Sequence, residues 1–141
     1  MALSRDTARL MSQGNVKVVL SAYAAFDQGD LTGVLDRFDP AVISYTAPPL
    51  PDPTEHQGHE GFLKWVENWT GAFDDFSIHV KDHIDAGEKV ILCVVQRATG
   101  AASGVPVEQT FWLLHVLRGG KITRIGIHAS EAQALEAAGA K

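Results

Sequence analysis

The sequence predicts an α+β fold in which a highly curved, cone-shaped antiparallel sheet wraps around N-terminal helices. Three observations predict it. Apolar residues recur at helical spacing in the first half of the chain, apolar runs of strand character fill residues 75–129, and the helices precede most of the strands. Helices that cover one face of a curved sheet enclose a cone, and the open end of a cone is a natural ligand site.

Two helices are expected near the N-terminus. Residues 15–28 carry apolar side chains at three- and four-residue spacing, with Asn15 as the expected N-cap and Gly29 just beyond the last turn. Asp30 is expected to cap a second, short helix, which the Asp39-Pro40 dipeptide ends because the residue before a proline disfavours helical geometry.

Apolar stripes, alternation and turn residues predict the other elements. A third helix is expected over residues 58–71, because Phe62, Trp65 and Trp69 fall on one side of it. Four prolines make residues 48–53 irregular, so this segment is either a stiff rim or a mobile lid. The expected strands are 41–47, 75–85, 89–99, 105–118 and 121–129, followed by an alanine-rich helix at 130–138.

Composition narrows the class of protein. The 141 residues are expected to form an N-terminal extension, 1–14, and a single domain, 15–141. The net charge of −5 argues against nucleic acid as a partner, because phosphate binding needs a basic surface. Neither a membrane-spanning run nor the apolar core of a secretory signal is present, so we expect a cytoplasmic protein with no membrane partner. Cys93 is the one cysteine, which excludes an intrachain disulfide.

The order of elements and several short motifs resemble the nuclear transport factor 2-like superfamily. Within it, the chain is most similar to the SnoaL-like branch, which includes polyketide cyclases, ketosteroid isomerases and limonene epoxide hydrolases. The resemblance covers about residues 15–139 and rests on turns, caps and core positions, which specify a fold better than a chemistry. The motifs are AYAAFDQGDL at 22–31, FDP at 38–40, GHEG at 58–61, GGKITR at 119–124 and EAQALEAAG at 131–139.

The resemblance also implies which side chains face into the cone. Residues 90–97 and 105–117 are apolar on both faces, so alternation alone does not show their orientation. On residues 75–85 the apolar phase places Asp82 inward with Ile78, Val80 and Ile84, unless a bulge turns Asp82 to solvent. The implied inward set on the other strands is Ile91, Cys93, Val95, Arg97, Thr99, Glu108, Thr110, Trp112, Leu114, Ile125, Ile127 and Ala129.

Known chemistries of the branch do not transfer directly. The resemblance places Tyr45 at the position of the ketosteroid isomerase base. It places Ala22 (beside Tyr23) and Leu114 at the positions of the two oxyanion-hole donors. Arg97 matches the arginine of the epoxide hydrolases. Their two carboxylates are replaced by Thr99 and Ile127. Neither route is therefore expected in its known form.

Four residues are candidates for catalysis. Asp82 and Glu108 are expected to transfer protons, because a carboxylate in an apolar cavity acquires a raised pKa. Arg97 and Tyr45 are expected to polarise a substrate oxygen. The alternatives are a structural ion pair between Arg97 and Glu108, a solvent-facing Asp82, and a core tyrosine at position 45.

An aromatic wall is the candidate substrate-binding surface. Such a wall suits a small hydrophobic or ring-bearing molecule, although aromatic stripes on helices are also common in ordinary cores. The histidine spacings do not suit a metal site, and neither a metal nor another cofactor is expected. The residues of the wall are Tyr23, Phe26, Trp65, Trp69 and Trp112.

Two functions and a homodimer are expected. The first function is a cofactor-free isomerase, cyclase or epoxide-opening enzyme that uses acid–base catalysis in the conical pocket. The second is a binding or assembly module without catalysis. A homodimer is implied by the resemblance, and also by four side chains that would otherwise expose an apolar patch on the outer sheet face: Phe111, Leu113, His115 and Leu117.

Overall fold

The computed structural model describes residues 5–139, with side chains from residue 13 onwards. Its four helices and six strands follow the order helix, helix, strand, strand, helix, then four strands and a closing helix. The elements are α1 (Arg5–Asp27), α2 (Leu31–Asp36), β1 (Phe38–Thr46), β2 (Thr54–Gln57), α3 (Gly58–Thr70), β3 (Phe73–Ala86), β4 (Lys89–Gly100), β5 (Pro106–Arg118), β6 (Lys121–His128) and α4 (Glu131–Ala137).

The strands form one curved, open sheet in the order β2-β1-β6-β5-β4-β3. This arrangement confirms the predicted α+β class. The sheet is not wholly antiparallel, because β1 and β6 pair in parallel. The short edge strand β2, which the sequence pattern did not indicate, pairs antiparallel with β1 beyond the proline-rich segment 48–53.

The helix ends confirm one of the predicted N-caps and correct the other. The Asp30 carboxylate accepts a hydrogen bond from the Gly33 amide at 3.0 Å, as expected of an N-cap. The predicted start of the first helix at Asn15 is wrong, because α1 begins at Arg5. Its first ten residues include arginine, alanine, leucine and methionine, which are good helix formers. Asn15 instead donates a side-chain hydrogen bond to the Gly87 carbonyl at 3.0 Å.

Helices α1 and α3 pack on the concave face of the sheet and build the main core. On β4, Val90, Leu92 and Val94 face these helices, so the implied inward set of Ile91, Cys93 and Val95 is wrong by one residue. The same shift applies to β5. On β6 the prediction is confirmed, because Ile125 and Ile127 both belong to the main core.

Helix α4 explains why the sequence concealed the orientation of β4 and β5. It packs on the convex face, where Ile91 and Leu114 form a second core with Ala134 and Ala138. The central strands are therefore covered on both sides and carry apolar residues at consecutive positions. Apolar and polar residues therefore do not alternate along these strands. An error of one residue in the assigned orientation then exchanges the concave and convex faces.

The patch from which a dimer was expected is not on the surface. The four residues lie in the concave core and are at most 8% exposed, so they form no apolar patch on the outer face: they are Phe111, Leu113, His115 and Leu117. A homodimer stays a prediction. On the outer face, Val95 and Trp112 are half-buried.

Tyr45 lies across Gly126 on the outer face. Its hydroxyl is 2.8 Å from Nε2 of His128, and the Arg124 guanidinium carbon lies 4.5 Å from the centre of its ring. Burial lowers the pKa of His128, which favours the neutral ring that accepts this hydrogen bond. A Cβ atom at position 126 would lie 1.9 Å from Cζ of Tyr45, so the ring occupies the space of a side chain.

We expect Gly126→Ala to lower the free energy of unfolding by about 1–3 kcal/mol, because the added methyl group displaces a ring held by two partners. Urea denaturation measures the change. In a Tyr45→Ala background the same substitution is expected to cost little, since the obstructing ring is gone. Equal losses in both backgrounds would show that the Tyr45 contact does not restrict position 126.

Candidate functional site

A cavity of about 690 Å³ occupies the open end of the cone. Its volume lies within the range typical of small-molecule sites. The proline-rich segment contributes one side, so residues 48–53 lie at the rim. All six strands and α3 contribute the other lining residues, and the full lining is Thr46, Leu50, Pro51, Asp52, Thr54, Trp65, Asn68, Trp69, Ala72, Phe73, Gln96, Gln109, Phe111 and Ile127.

A second, smaller cavity of about 40 Å³ lies deeper, between the helices and the sheet. It has room for roughly three water-sized groups, and its wall is almost entirely apolar. Trp65 and Trp69 line both cavities and therefore stand between them. The inner lining is Ala22, Tyr23, Phe26, Val34, Phe38, Phe62, Trp65, Val66, Trp69, Ile78, Leu113 and Ile125.

Both indoles are held by hydrogen bonds to the concave face. Trp65 Nε1 donates to Oγ1 of Thr46 at 3.0 Å, and Trp69 Nε1 donates to Oε1 of Gln96 at 2.7 Å. A buried indole N–H needs such an acceptor, because leaving it unpaired away from water is costly. Trp69 also meets the edge of Phe111 with ring centres 6.1 Å apart. The indoles therefore have defined positions, and their faces form a rigid wall.

Gln96 is the polar residue that the sequence analysis missed at this site. It is 0% exposed and lies on β4 in phase with the inward Val90, Leu92 and Val94. Its Oε1 atom accepts from Trp69, whereas its Nε2 atom has no hydrogen-bond partner among residues 13–139. The available signal was a glutamine in an otherwise apolar strand. Because the predicted orientation of β4 was wrong by one residue, Gln96 was assigned to the convex face.

A tyrosine–histidine pair lies at the inner end of the cone. The Tyr23 hydroxyl is 2.9 Å from Nε2 of His115, and Nδ1 of the same ring is 3.0 Å from the Val90 carbonyl oxygen. A carbonyl only accepts, so Nδ1 carries the proton and Nε2 accepts from Tyr23. Burial lowers the pKa of His115 to about 4 and raises the pKa of Tyr23. Both groups are therefore neutral at pH 7.

Four of the five aromatic residues predicted to bind substrate line the inner cavity, and Trp65 and Trp69 also line the outer one: they are Tyr23, Phe26, Trp65 and Trp69. Contact with a ligand stays a prediction. Trp112 was expected among them and its predicted orientation is wrong. It lies half-buried on the convex face, opposite Cys93 on β4 and His128 on β6.

Arg97 and Glu108 do not face the cone, and their predicted orientation is also wrong. They stand opposite each other on β4 and β5, with Arg97 Nη2 3.4 Å from Glu108 Oε1. Both side chains are 63% exposed on the convex face. They form the ion pair that was the alternative interpretation, and an exposed pair of this kind contributes little stability.

A β-bulge turns Asp82 outward. The ladder between β3 and β4 is irregular between Val80 and Asp82, which places Val80 opposite the inward Val94 and Asp82 opposite the outward Cys93. Asp82 is exposed, and its carboxylate accepts from the His83 amide at 2.8 Å. The expected inward orientation is wrong because one extra residue reverses the phase, as the alternative interpretation stated.

The positions implied by the ketosteroid isomerase resemblance shift by one residue. Ser44, rather than Tyr45, belongs to the concave side of β1 and is fully buried. His115, rather than Leu114, faces inward from β5. The Tyr23 hydroxyl, rather than Ala22, is the first-helix group that meets it. All four predicted catalytic residues, Asp82, Glu108, Arg97 and Tyr45, thus lie outside the cone.

Within the part of the chain that the structure describes, no three histidine, cysteine, aspartate or glutamate side chains converge as metal ligands would. In the same part, none of the helices has both the length and the apolar character required to cross a bilayer.

Comparison with known proteins identifies relatives of this fold. The family model described as the SnoaL-like domain matches residues 19–125. An NTF2-like protein of unknown function from Burkholderia pseudomallei is 20% identical, with a TM-score of 0.73 over 87% of this chain and 95% of that chain. A SnoaL-like polyketide cyclase by description, from Jannaschia sp. CCS1, is 15% identical, with a TM-score of 0.74 over 98% and 96%.

A third structure is that of TerC, which was co-crystallised with polyporic acid. It is 20% identical, with a TM-score of 0.74 over 87% of this chain and 96% of that chain. At these identities the structures show a shared fold and no more. No curated protein is significantly similar to the chain.

The His115 environment predicts a pH dependence of stability. Its pKa falls from 6.5 to about 4 on folding, so below pH 6.5 the unfolded chain binds a proton that the folded chain does not. The free energy of unfolding therefore decreases as pH falls from 6.5 to 4, and His115 accounts for a loss on the order of 3 kcal/mol.

Urea denaturation between pH 7.5 and pH 4 tests this. We expect His115→Gln, which still offers an acceptor to Tyr23, to show a shallower decrease than the wild type. His79→Gln replaces an exposed histidine on β3 and serves as the matched control. A pH dependence unchanged by His115→Gln would contradict the assignment.

Proposed function

Because the chain belongs to the SnoaL-like domain family, we propose that it binds a small, ring-bearing apolar molecule in the cavity at the open end of its cone. The observation that carries this proposal is the cavity itself, with a volume of about 690 Å³ and an entrance at the sheet end. A domain that served only for assembly would not need an unfilled interior of this size, since protein cores are otherwise close-packed.

The wall of the cavity suits a flat ring. Trp65, Trp69 and Phe111 present aromatic surfaces whose positions are determined by packing and by the two indole hydrogen bonds. Aromatic rings stack or meet edge to face with other rings at about 0.5–1.5 kcal/mol beyond the area they bury. Thr46, Asn68 and Gln109 add polar groups that can orient a ligand.

The neighbours of the same fold give further support. TerC was co-crystallised with polyporic acid, and the Jannaschia protein is described as a polyketide cyclase. We propose small-molecule binding for this chain as well, because it has a cavity of its own.

An enzymatic role is the second candidate, and the Tyr23–His115 pair favours it. In this version the bound molecule is isomerised, cyclised or opened at an epoxide by acid–base catalysis without a cofactor. Tyr23 lines the inner cavity, so its hydroxyl can hydrogen-bond a substrate oxygen that enters there, while Nε2 of His115 can accept its proton. Burial disfavours the imidazolium ion, so such a transfer requires negative charge to develop nearby.

Calorimetric titration with 1-tetralone, a two-ring ketone, tests the binding proposal. We expect saturable binding by the wild type. Ala72→Trp, which fills the mouth of the cavity, is expected to weaken binding at least tenfold, because the indole takes the space of the ligand. The matched control is Ala137→Trp on the exposed side of α4. No saturable binding, or equal binding by both variants, would overturn the proposal.

Substitutions on the convex face are expected to leave ligand binding intact. Asp82→Asn, Glu108→Gln and Arg97→Ala should change the affinity for 1-tetralone by less than twofold, because none of these side chains lines either cavity. Stability should change by less than about 0.5–1 kcal/mol, as is usual for exposed charges. Loss of binding in any of the three variants would show that the outer face takes part in the site.

A further inference from the structure

We infer that the ligand of the cone carries an uncharged carbonyl oxygen and that the side-chain amide of Gln96 donates a hydrogen bond to it. This inference rests on the proposed function and adds the chemical class of the ligand. Its basis is an unsatisfied donor on a residue that lines the cavity, together with the absence of any cationic side chain from the described residues of that lining.

The orientation of the Gln96 amide follows from its partner. The indole N–H of Trp69 only donates, so the atom 2.7 Å away must be the amide oxygen of Gln96. The NH₂ group is then the free end of the side chain. It carries two donors with no acceptor among residues 13–139, although Gln96 is 0% exposed and lines the cavity.

A buried hydrogen-bond donor without an acceptor destabilises the folded protein. Leaving a buried polar group unsatisfied costs about 1–3 kcal/mol, so folded proteins keep few of them. The Oε1 atom has a structural role, because it accepts from Trp69, but the NH₂ group has none among the described residues. An acceptor atom supplied by the ligand removes the cost on binding, and a ligand without an acceptor does not.

The charges around the cavity distinguish a carbonyl from a carboxylate. Among the described residues that line it, Asp52 is the one charged side chain, and lysine, arginine and histidine do not occur. A carboxylate or phosphate would lose hydration on entry and would meet a negative charge instead of a counter-ion. A ketone, quinone, lactone or amide oxygen accepts the same hydrogen bond with no ionic cost.

Three two-ring probes of nearly equal size separate these possibilities: 1-tetralone with a carbonyl, tetralin with no acceptor, and 1,2,3,4-tetrahydro-1-naphthoate with a carboxylate. Calorimetry at pH 7.5 is expected to show that the wild type binds 1-tetralone about tenfold or more tightly than either of the others. A desolvated hydrogen bond to a neutral donor accounts for a preference of this size.

Gln96→Met tests the residue. Methionine has nearly the shape of glutamine without its donors, so the preference for 1-tetralone over tetralin is expected to fall to less than threefold. Gln28→Met is the matched control, because Gln28 is an exposed glutamine that lines neither cavity. It is expected to leave the affinities for both probes, and their ratio, unchanged.

A measurement on the unmodified protein keeps the test valid if Gln96→Met does not fold. In ¹⁵N–¹H spectra, the side-chain NH₂ signals of Gln96 are expected to shift on addition of 1-tetralone and to stay unchanged with tetralin.

The two proposals fail differently. If the wild type binds none of the three probes, the proposed function fails and this inference fails with it. If it binds 1-tetralone and tetralin equally, or prefers the carboxylate, or if Gln96→Met keeps the wild-type ratio, the inference is overturned while binding in the cone stands.

Discussion

The attachment of helix α3 to the concave face of the sheet is the contact on which the rest of the molecule depends. Trp65 and Trp69 lie one turn apart on this helix, and each donates its indole N–H across the core, to Thr46 on β1 and to Gln96 on β4. The two bonds tie the helix to strands on either side of the sheet centre. They also position the indoles between the inner and the outer cavity, so the same contact closes the core and forms the floor of the site.

The distribution of charge follows from this architecture. The cone is narrow and lined mainly by apolar side chains, so an ionised group inside it would lose hydration without finding a partner. Apart from Asp52 at the rim, its polar members are accordingly neutral: amides, hydroxyl groups, and a tyrosine bonded to a histidine whose pKa is lowered by burial. The charged residues of the same strands, such as Arg97 and Glu108, pair on the convex face in contact with water. Such a lining is consistent with the proposed recognition of shape and of hydrogen-bond acceptors rather than charge.

The aromatic residues on helices were predictable because a helix on the surface of a sheet buries one stripe. Phe62, Trp65 and Trp69 recur at helical spacing, and that stripe can only face the core. The strands gave no equivalent signal. Helix α4 covers the convex side of β4 and β5, so Ile91 and Leu92 are both buried although they point in opposite directions. A single-residue error in phase then placed Trp112 and Glu108 in the cone and His115 outside it.

The sequence by itself determined the α+β class, the order of the elements and the membership of the SnoaL-like family, because turns, caps and helical stripes are local properties of the chain. It also determined that Tyr23, Phe26, Trp65 and Trp69 face the interior. The tertiary structure alone decided the contents of the site. The orientation of Gln96 and His115 depends on which sheet face α4 covers, and that of Asp82 depends on a bulge in the β3–β4 ladder. Both are contacts between distant segments, and a pattern of neighbouring residues does not encode them.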